Sequence, residues 1–502
     1  MGPRVAAGLA LAAACLILLP GLEVRDLHSS HEARAAQNVT SLLASEDGIP
    51  RLFDGRFEAQ KPPLYYWLAA LAVRLGFSIE YAVRLPAALA GVGVIALLLG
   101  AGLWTGRPWA GVFAAVVLLA SIHFSWLGRI GRIDMPLALT TTAAALGFHL
   151  ALTLGKSWLL PLAWLACALG VLLKGPVGLA LPAAIVAAIL LAEGRWPAIW
   201  EGGAWWALLR ESGAFWGLPL VLAACVPVFA WLHVRTQGAF TEEFFWLHNV
   251  ARGLGGSRLR AHPWWLYLPY FFLYLLPFSP LLLAALRPGW WSGDPWARAG
   301  LAWACGAVAL LSAAKFKRAD YLLPAYPGAA LFLGALLERM LRGRPRLAAW
   351  GACGALGLAC AAWWGYQGHY VWGDVGFRDY RPLAKVIRES GGSPVYFRAE
   401  AHALMYRVGQ PARVALEWRE LRESLRDSPS LIVLPPALYE LAVSELAGWD
   451  LEKLGGTAEL AGGRHERPLL LIRASRGLLH HATDTRPGPH PWRPPGGAAA
   501  GP

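Results

Sequence analysis

Apolar runs of membrane-crossing length recur along most of this chain, from residue 5 to residue 367. They lie at roughly 5–22, 81–104, 108–127, 134–154, 158–173, 177–193, 214–235, 264–286, 298–314, 320–340 and 347–367, each near the ~20 residues that cross a bilayer. A backbone in lipid must satisfy its own N–H and C=O groups, so such runs fold as helices. Only 15% of the 502 residues are charged, against about 25% in soluble domains. The expected fold class is a polytopic α-helical membrane protein of about 11 spans with a small C-terminal α/β domain. The fifth and sixth runs are parted only by "KGP" at 174–176, which leaves the count open.

Net charge is +13. In a soluble protein this would suggest nucleic acid, but no nucleic-acid module is present. Anionic lipid headgroups and positively charged loops account for it, so membrane lipids are the expected partners and nucleic acid is not. The 26 Trp and 14 Tyr fit aromatic belts at the two interfaces. All six cysteines fall inside apolar runs without metal-ligand spacing and read as packing residues. Residues 1–22 resemble a signal peptide, yet "LEVRD" after Pro20-Gly21 is a poor cleavage site, so an uncleaved first helix is expected.

The organisation divides into a transmembrane unit at 1–367, with its first polar loop at 23–80, a soluble α/β unit at 374–475 and a disordered tail at 476–502. In the α/β unit, "SPVYFRA", "SLIVLPP" and "RPLLLIRAS" read as strands, with helical stretches between them. The tail is rich in Pro and Gly. Within the first loop, residues 31–45 read as a short surface helix, and "PPLYYWLAALAVRLGF" as an interfacial one. Alternating spans send the loop 23–80, residues 128–134, 174–176, 236–263 and 314–320, and the α/β unit to one side. That side is expected to lie outside the cytoplasm of a plasma (bacterial inner) membrane, because the Arg-rich link 339–346 falls on the other.

Several polar groups on that side have two readings. Glu32, between His31 and Arg34 in "HEARAAQ", is either a solvated loop acid or a general base. Lys61 of "QKPPLYYW" is either an interfacial lysine or a ligand for a phosphate at headgroup depth. Of the seven lysines, four fall in the membrane-unit loops on this side, Lys61, Lys174, Lys315 and Lys317, and two more in the α/β unit; the four are suggestive of the second reading. Asp134 either caps the helix it opens, neutralised by Arg129 or Arg132, or belongs to a site. Lys174, His262 and Tyr321 are supporting candidates. Asn38 opens an "NVT" glycosylation sequon. No HExxH, paired CxxC, P-loop or GxSxG occurs, so no nucleotide, zinc or serine-hydrolase site is indicated.

In order and spacing, "HEARAAQ", "QKPPLYYWLAAL", "GRIDMPL", "LLKGPVGL", "HPWWLYLPYF" and "YLLPAYP" resemble the GT-C class of membrane glycosyltransferases. They look most like the bacterial lipid A aminoarabinose transferases and their PMT-like (protein O-mannosyltransferase-like) relatives. The resemblance implies transfer of a sugar from a polyprenyl-phosphate donor to a lipid, glycan or protein acceptor on the extracytoplasmic face. It implies catalytic roles for Glu32, Asp134 and His31, and donor-phosphate contacts from Lys61, Arg34, Lys315 and Lys317. No cofactor is required; a divalent metal is compatible but not indicated. The chain departs from the family at two positions: His31 stands where relatives carry Asp, and Gln60 where they carry Glu. Glu32 is accordingly the expected base in an inverting displacement. The rival expectations are a catalytically degenerate lipid-glycan binder and a transporter or flippase, which would need polar groups near mid-bilayer or internal repeats.

Overall fold

The computed structural model describes residues 2–27, 29–45, 47–198, 200–251, 261–372, 379–399, 401–409, 411–425, 430–460 and 467–476. Of the tail expected to be disordered, all but Arg476 lies outside these residues. Seven helices are long and apolar enough to cross a membrane: Ile79–Trp104, Asp134–Leu154, Ser157–Lys174, Ala214–Arg235, Pro295–Ala313, Ala319–Met340 and Pro345–Gly368. Pro3–Leu18, Pro108–Ala120 and Val177–Ala192 are shorter apolar helices. The chain is an integral membrane protein of polytopic helical fold.

Ten of the eleven expected runs thus hold one principal helix, and the eighth does not. Residues 264–286 break into a 3-10 turn at Trp264–Leu266, an α-helix at Tyr267–Tyr274 and a 3-10 stretch at Ser279–Leu286. Pro277 and Pro280 cause this, since each removes a backbone donor and crowds the preceding turn. At "KGP" the chain makes two separate helices, α7 (Leu160–Lys174) and α8 (Val177–Ala192). Gly175 sits between them at φ +77°, a conformation that favours glycine.

The membrane core gathers around α11 (Tyr326–Met340), which packs on α5 (Pro108–Ala120) and α10 (Pro295–Ala313). Helix α1 (Pro3–Leu18) inserts Ala10, Ala14, Ile17 and Leu18 into the same core, each fully buried. Helix α6 (Asp134–Leu154) packs along α7. These helices set the ends from which the site residues emerge.

The C-terminal unit is a five-stranded sheet in the order β2-β1-β3-β5-β4. Strands β1 (Val395–Phe397) and β3 (Ser430–Leu434) are parallel, as are β1 and β2 (Arg413–Ala415). Strand β5 (Leu470–Arg476) runs antiparallel to β3 and to β4 (Trp449–Gly456). The three strands read from sequence are β1, β3 and β5. Strands β2 and β4 escape that reading because neither shows an apolar run: β4 alternates half-buried with exposed residues along much of its length.

This unit docks on the first polar loop. Helix α2 (Ser30–Ala44) lies between α3 (Leu64–Arg74) and a C-terminal helix, His402–Val408. The buried Gln37 amide donates to the His402 carbonyl at 2.8 Å and accepts from Phe53 N at 3.1 Å. Arg407 pairs with Asp26 and, at 3.4 Å, with Glu80. The expected surface helix at 31–45 is therefore an interior one. The sequon fails for the same reason: Asn38 is fully buried and donates to Glu58.

Candidate active site

The phase of α2 decides which of its side chains do chemistry. Ser29 is the N-cap, its Oγ accepting the Glu32 N–H at 3.2 Å. Positions i, i+3 and i+4 share a helix face, and His31, Arg34 and Ala35 line a cavity of about 190 Å³. Glu32 points elsewhere.

Glu32 is fully buried. Arg84 Nε holds its Oε1 at 2.6 Å and Arg25 Nη2 at 3.1 Å, while the Gly131 N–H donates at 3.1 Å. Burial alone would raise its pKa, but the Arg84 and Arg25 guanidiniums outweigh it and hold the carboxyl below the usual range. Gly131 fits there because any Cβ would lie 2.8 Å from the Val83 carbonyl oxygen. Arg84, itself 1% exposed, also binds the carbonyls of Leu22, Arg25 and Asp26. Glu32 is thus the centre of a clamp that ties α2 to the loop around Gly131 and to Arg84 at the foot of α4 (Leu85–Trp104). It is not among the residues that line the cavity, although it is the expected base.

The cavity walls come from four of the segments expected on one side. Besides His31 and Arg34 they include Glu58, Lys61, Arg132, Asp134, Lys174, Arg318 and Tyr321. Asp134 opens α6, where an acid suits the positive helix end. Its Oδ1 accepts Lys174 Nζ at 2.6 Å, and Arg132 Nη2 lies 3.0 Å from Oδ2. Arg129, the other proposed neutraliser, turns away to the Ile17 and Gly21 carbonyls. Lys174 also lies 4.2 Å from the Tyr321 ring centroid. Arg132 bridges onward to Asp320 at 2.7 Å, and Arg318 joins the same carboxylate at 3.3 Å.

Two residues of "AKFKRAD" do not reach the cavity. Lys315 is exposed, with its carbonyl accepting His262 N at 3.0 Å. Lys317 is buried against the Ala314 and His262 carbonyls, and burial lowers its pKa. His262 packs edge-on to Phe316 outside the cavity. The cation this segment supplies is Arg318.

Sequence reasoning also missed Glu58. Glu58 follows the isolated bridge between Arg51 and Phe57, and its Oε1 accepts the Gln60 N–H at 3.1 Å. Arg34 meets both: Nη2 to Glu58 Oε2 at 2.9 Å and Nη1 to Gln60 Oε1 at 3.0 Å. An acid therefore lines the same cavity as Lys61, although the residue before Lys61 is Gln60.

His31 is an exposed residue that opens into the cavity. Burial and then the Arg132 and Arg318 guanidiniums lower its pKa to about 3, with Asp134 opposing them. Water in the cleft softens the burial effect, so the crowding of cations is the firmer cause. The imidazole is neutral at pH 7. Five basic side chains (Arg34, Lys61, Arg132, Lys174, Arg318) line the cavity with two carboxylates, Glu58 and Asp134, and a third, Asp320, pairs with Arg132 and Arg318 from behind, which leaves an excess of two cations. This excess suits an anion at the ends of the helices. Among the described residues, no group of three or more His, Cys, Asp or Glu is placed to hold a metal ion.

Known proteins share sequence and fold with this chain. Residues 60–231 match the family described as dolichyl-phosphate-mannose-protein mannosyltransferase. The chain is 30% identical over 382 residues to an undecaprenyl phosphate-α-4-amino-4-deoxy-L-arabinose arabinosyl transferase of Edwardsiella ictaluri, covering 71% of this chain and 65% of that one. To a Sodalis glossinidius protein of the same description it is 32% identical, covering 64% and 56%. The chain thus spans less than two thirds of these relatives' length. The crystal structure of ArnT from Cupriavidus metallidurans bound to undecaprenyl phosphate superposes with a TM-score of 0.73 at 19% identity, covering 93% of this chain and 97% of that one. Its apo form gives 0.72. The resemblance to aminoarabinose transferases and PMT-like proteins of the GT-C class holds in both sequence and fold.

Proposed function

We propose that this chain is a glycosyltransferase that moves a sugar from a polyprenyl-phosphate donor to a hydroxyl of a lipid, glycan or protein acceptor on the extracytoplasmic face. A donor of the undecaprenyl phosphate-aminoarabinose type, with lipid A as acceptor, is the form the relatives favour. The observation that carries this reading is the cavity itself: five basic side chains around a small polar space at the helix ends.

The step is an inverting displacement at the anomeric carbon. The acceptor oxygen forms its bond to that carbon as the carbon–oxygen bond to phosphate breaks, and the electron pair leaves with the phosphate. A phosphodiester of charge −1 becomes a monoester that can carry −2. Lys61, Arg34 and Arg318 stabilise the charge that grows there. The acceptor proton passes to the neutral imidazole of His31. In the empty cavity the surrounding cations make His31 a weak base, and a bound phosphate counters them. Its proton affinity therefore rises as the leaving group gains charge. Asp134 and Glu58 anchor the cations and do not act as bases, since each is held by hydrogen bonds from neighbouring side chains.

The same pairing of both acids favours a second reading, a protein that binds the lipid-linked sugar without transferring it. A radiolabelled polyprenyl-phosphate sugar, given with membrane acceptor to the purified protein, separates the two. Transfer that falls away in Lys61→Ala supports the enzyme. Donor binding without any transfer supports the binder.

A further inference from the structure

At the far end of α11 lies a second polar cluster that the transfer reading does not use. Helix α11 has 15 residues, so its end at Met340 is about 22 Å from its start near the cavity. There Arg107 pairs with Asp294 at 3.0 Å and with Glu338 at 2.5 Å, drawing together the links before α5, before α10 and after α11. Both acids are spent on that one arginine. Arg339 donates to the Gly289 and Trp290 carbonyls. Three more arginines follow, Arg342, Arg344 and Arg346, all exposed, and their guanidiniums meet no acceptor among the described residues.

Beside them is a cavity of about 320 Å³. Its floor is apolar: Trp109, Phe113, Leu341 and Ala348. Arg342 also lines it, as do Arg107 and Glu338, whose charges balance each other. An apolar floor at the end of membrane-crossing helices, under a guanidinium with no protein partner, matches one chemical object: a phosphate ester joined to an acyl chain. A soluble anion would have no use for the floor, and a zwitterionic lipid would leave the arginine excess unanswered.

We infer that this cavity, between the start of α5 and the link 341–345, is a binding site for an anionic phospholipid, with Arg342 on the phosphate, the exposed Arg344 two residues on adding to the local positive charge, and Phe113, Leu341 and Ala348 against the acyl chain. The site lies on the face opposite the proposed active site. Lipid occupancy there would brace the link between α11 and α12 (Pro345–Trp372). The inference does not depend on sugar transfer, and its test reads lipid binding alone.

The test is native mass spectrometry of the full-length detergent-solubilised protein, titrated with phosphatidylglycerol or with phosphatidylcholine of the same chains. Wild-type protein is expected to retain phosphatidylglycerol preferentially. The double variant R342Q/R344Q should lower that retention by about thirtyfold, the scale for removing two cations that meet an anionic headgroup. Ala348→Trp fills the floor without changing charge and should lower it as well. Because Arg342, Arg344 and Ala348 contribute nothing to the proposed active site, donor binding in these variants should match wild type and certify the fold. Equal retention of the two lipids by wild type, or an unchanged preference in R342Q/R344Q, overturns the inference. Displacement of the lipid by inorganic phosphate alone, with Ala348→Trp silent, also overturns it, because the site would then be one for a free anion.

Discussion

Two clusters of carboxylate and guanidinium meet at the N-terminus of α2, and they differ in what they leave free. Around Glu32, a single acid accepts from Arg84, Arg25 and a backbone N–H, and no side chain of the set reaches the cavity. Around Asp134, the pairs are just as close, but Lys174, Arg132 and the neighbouring Arg318 and Lys61 also form the cavity wall. The first cluster has its charges closed upon themselves and acts as a fastener. The second has more cations than acids and opens on solvent-accessible space. Adjacent residues fall into different clusters because one helical step turns a side chain by about 100°. His31 thus faces the cleft and Glu32 the clamp.

Breaking the first cluster should have the largest effect. Glu32→Ala leaves Arg84 buried without its carboxylate, and removing one partner of a buried pair costs about 3–5 kcal/mol. Thermal unfolding of the purified protein should show a sharply lowered midpoint, with any activity loss tracking the folded fraction. Next is Lys61→Ala. Loss of one group that stabilises leaving-group charge costs about 10²–10³ in kcat, at unchanged melting temperature. Third is the contrast within "AKFKRAD". Arg318→Ala should lower transfer by roughly tenfold, on the order of one charge-assisted contact. Lys315→Ala should leave turnover within about twofold of wild type, as expected of an exposed residue outside the site.

The smallest effect is one of pH. His31 is held well below its ordinary value near 6.5, so the free protein carries a neutral imidazole throughout pH 5–8. The kcat/KM profile of the wild-type protein should therefore show no step near 6.5. The sign follows from the downward shift: protonation, and with it loss of the base, comes only as pH falls toward about 3.

Much of the fold was legible because the membrane leaves the chain few choices. Apolar runs of about 20 residues must become helices, and α4, α6, α10 and α11 lie where those runs lie. The exception, 264–286, carried its warning in Pro277 and Pro280. The gathering of polar segments at one end was legible from the alternation of spans. Side-chain direction was not. The Ser-x-x-Glu spacing at 29–32 signals the start of a helix, yet it does not state that His31 and Arg34 face the cavity while Glu32 faces Arg84. The partner, Arg84, is 52 residues away and sits at the foot of an apolar span, where it reads as an anchoring residue. Lys317 misled for a similar reason. A lysine beside an arginine gives no hint of which one the 3-10 turn at Ala319–Ala325 points inward. The docking of the α/β unit on α2 had no local signal either, because Gln37 and Arg407 meet their partners across hundreds of residues.

The most direct test sets the two neighbours against each other. Glu32→Gln and His31→Gln are purified in parallel, and each is assayed for melting temperature and for sugar transfer per folded molecule. The account predicts that Glu32→Gln melts lower and keeps its transfer per folded molecule, whereas His31→Gln melts like wild type and loses transfer. A Glu32→Gln protein of wild-type stability with no transfer, beside a fully active His31→Gln, would contradict it.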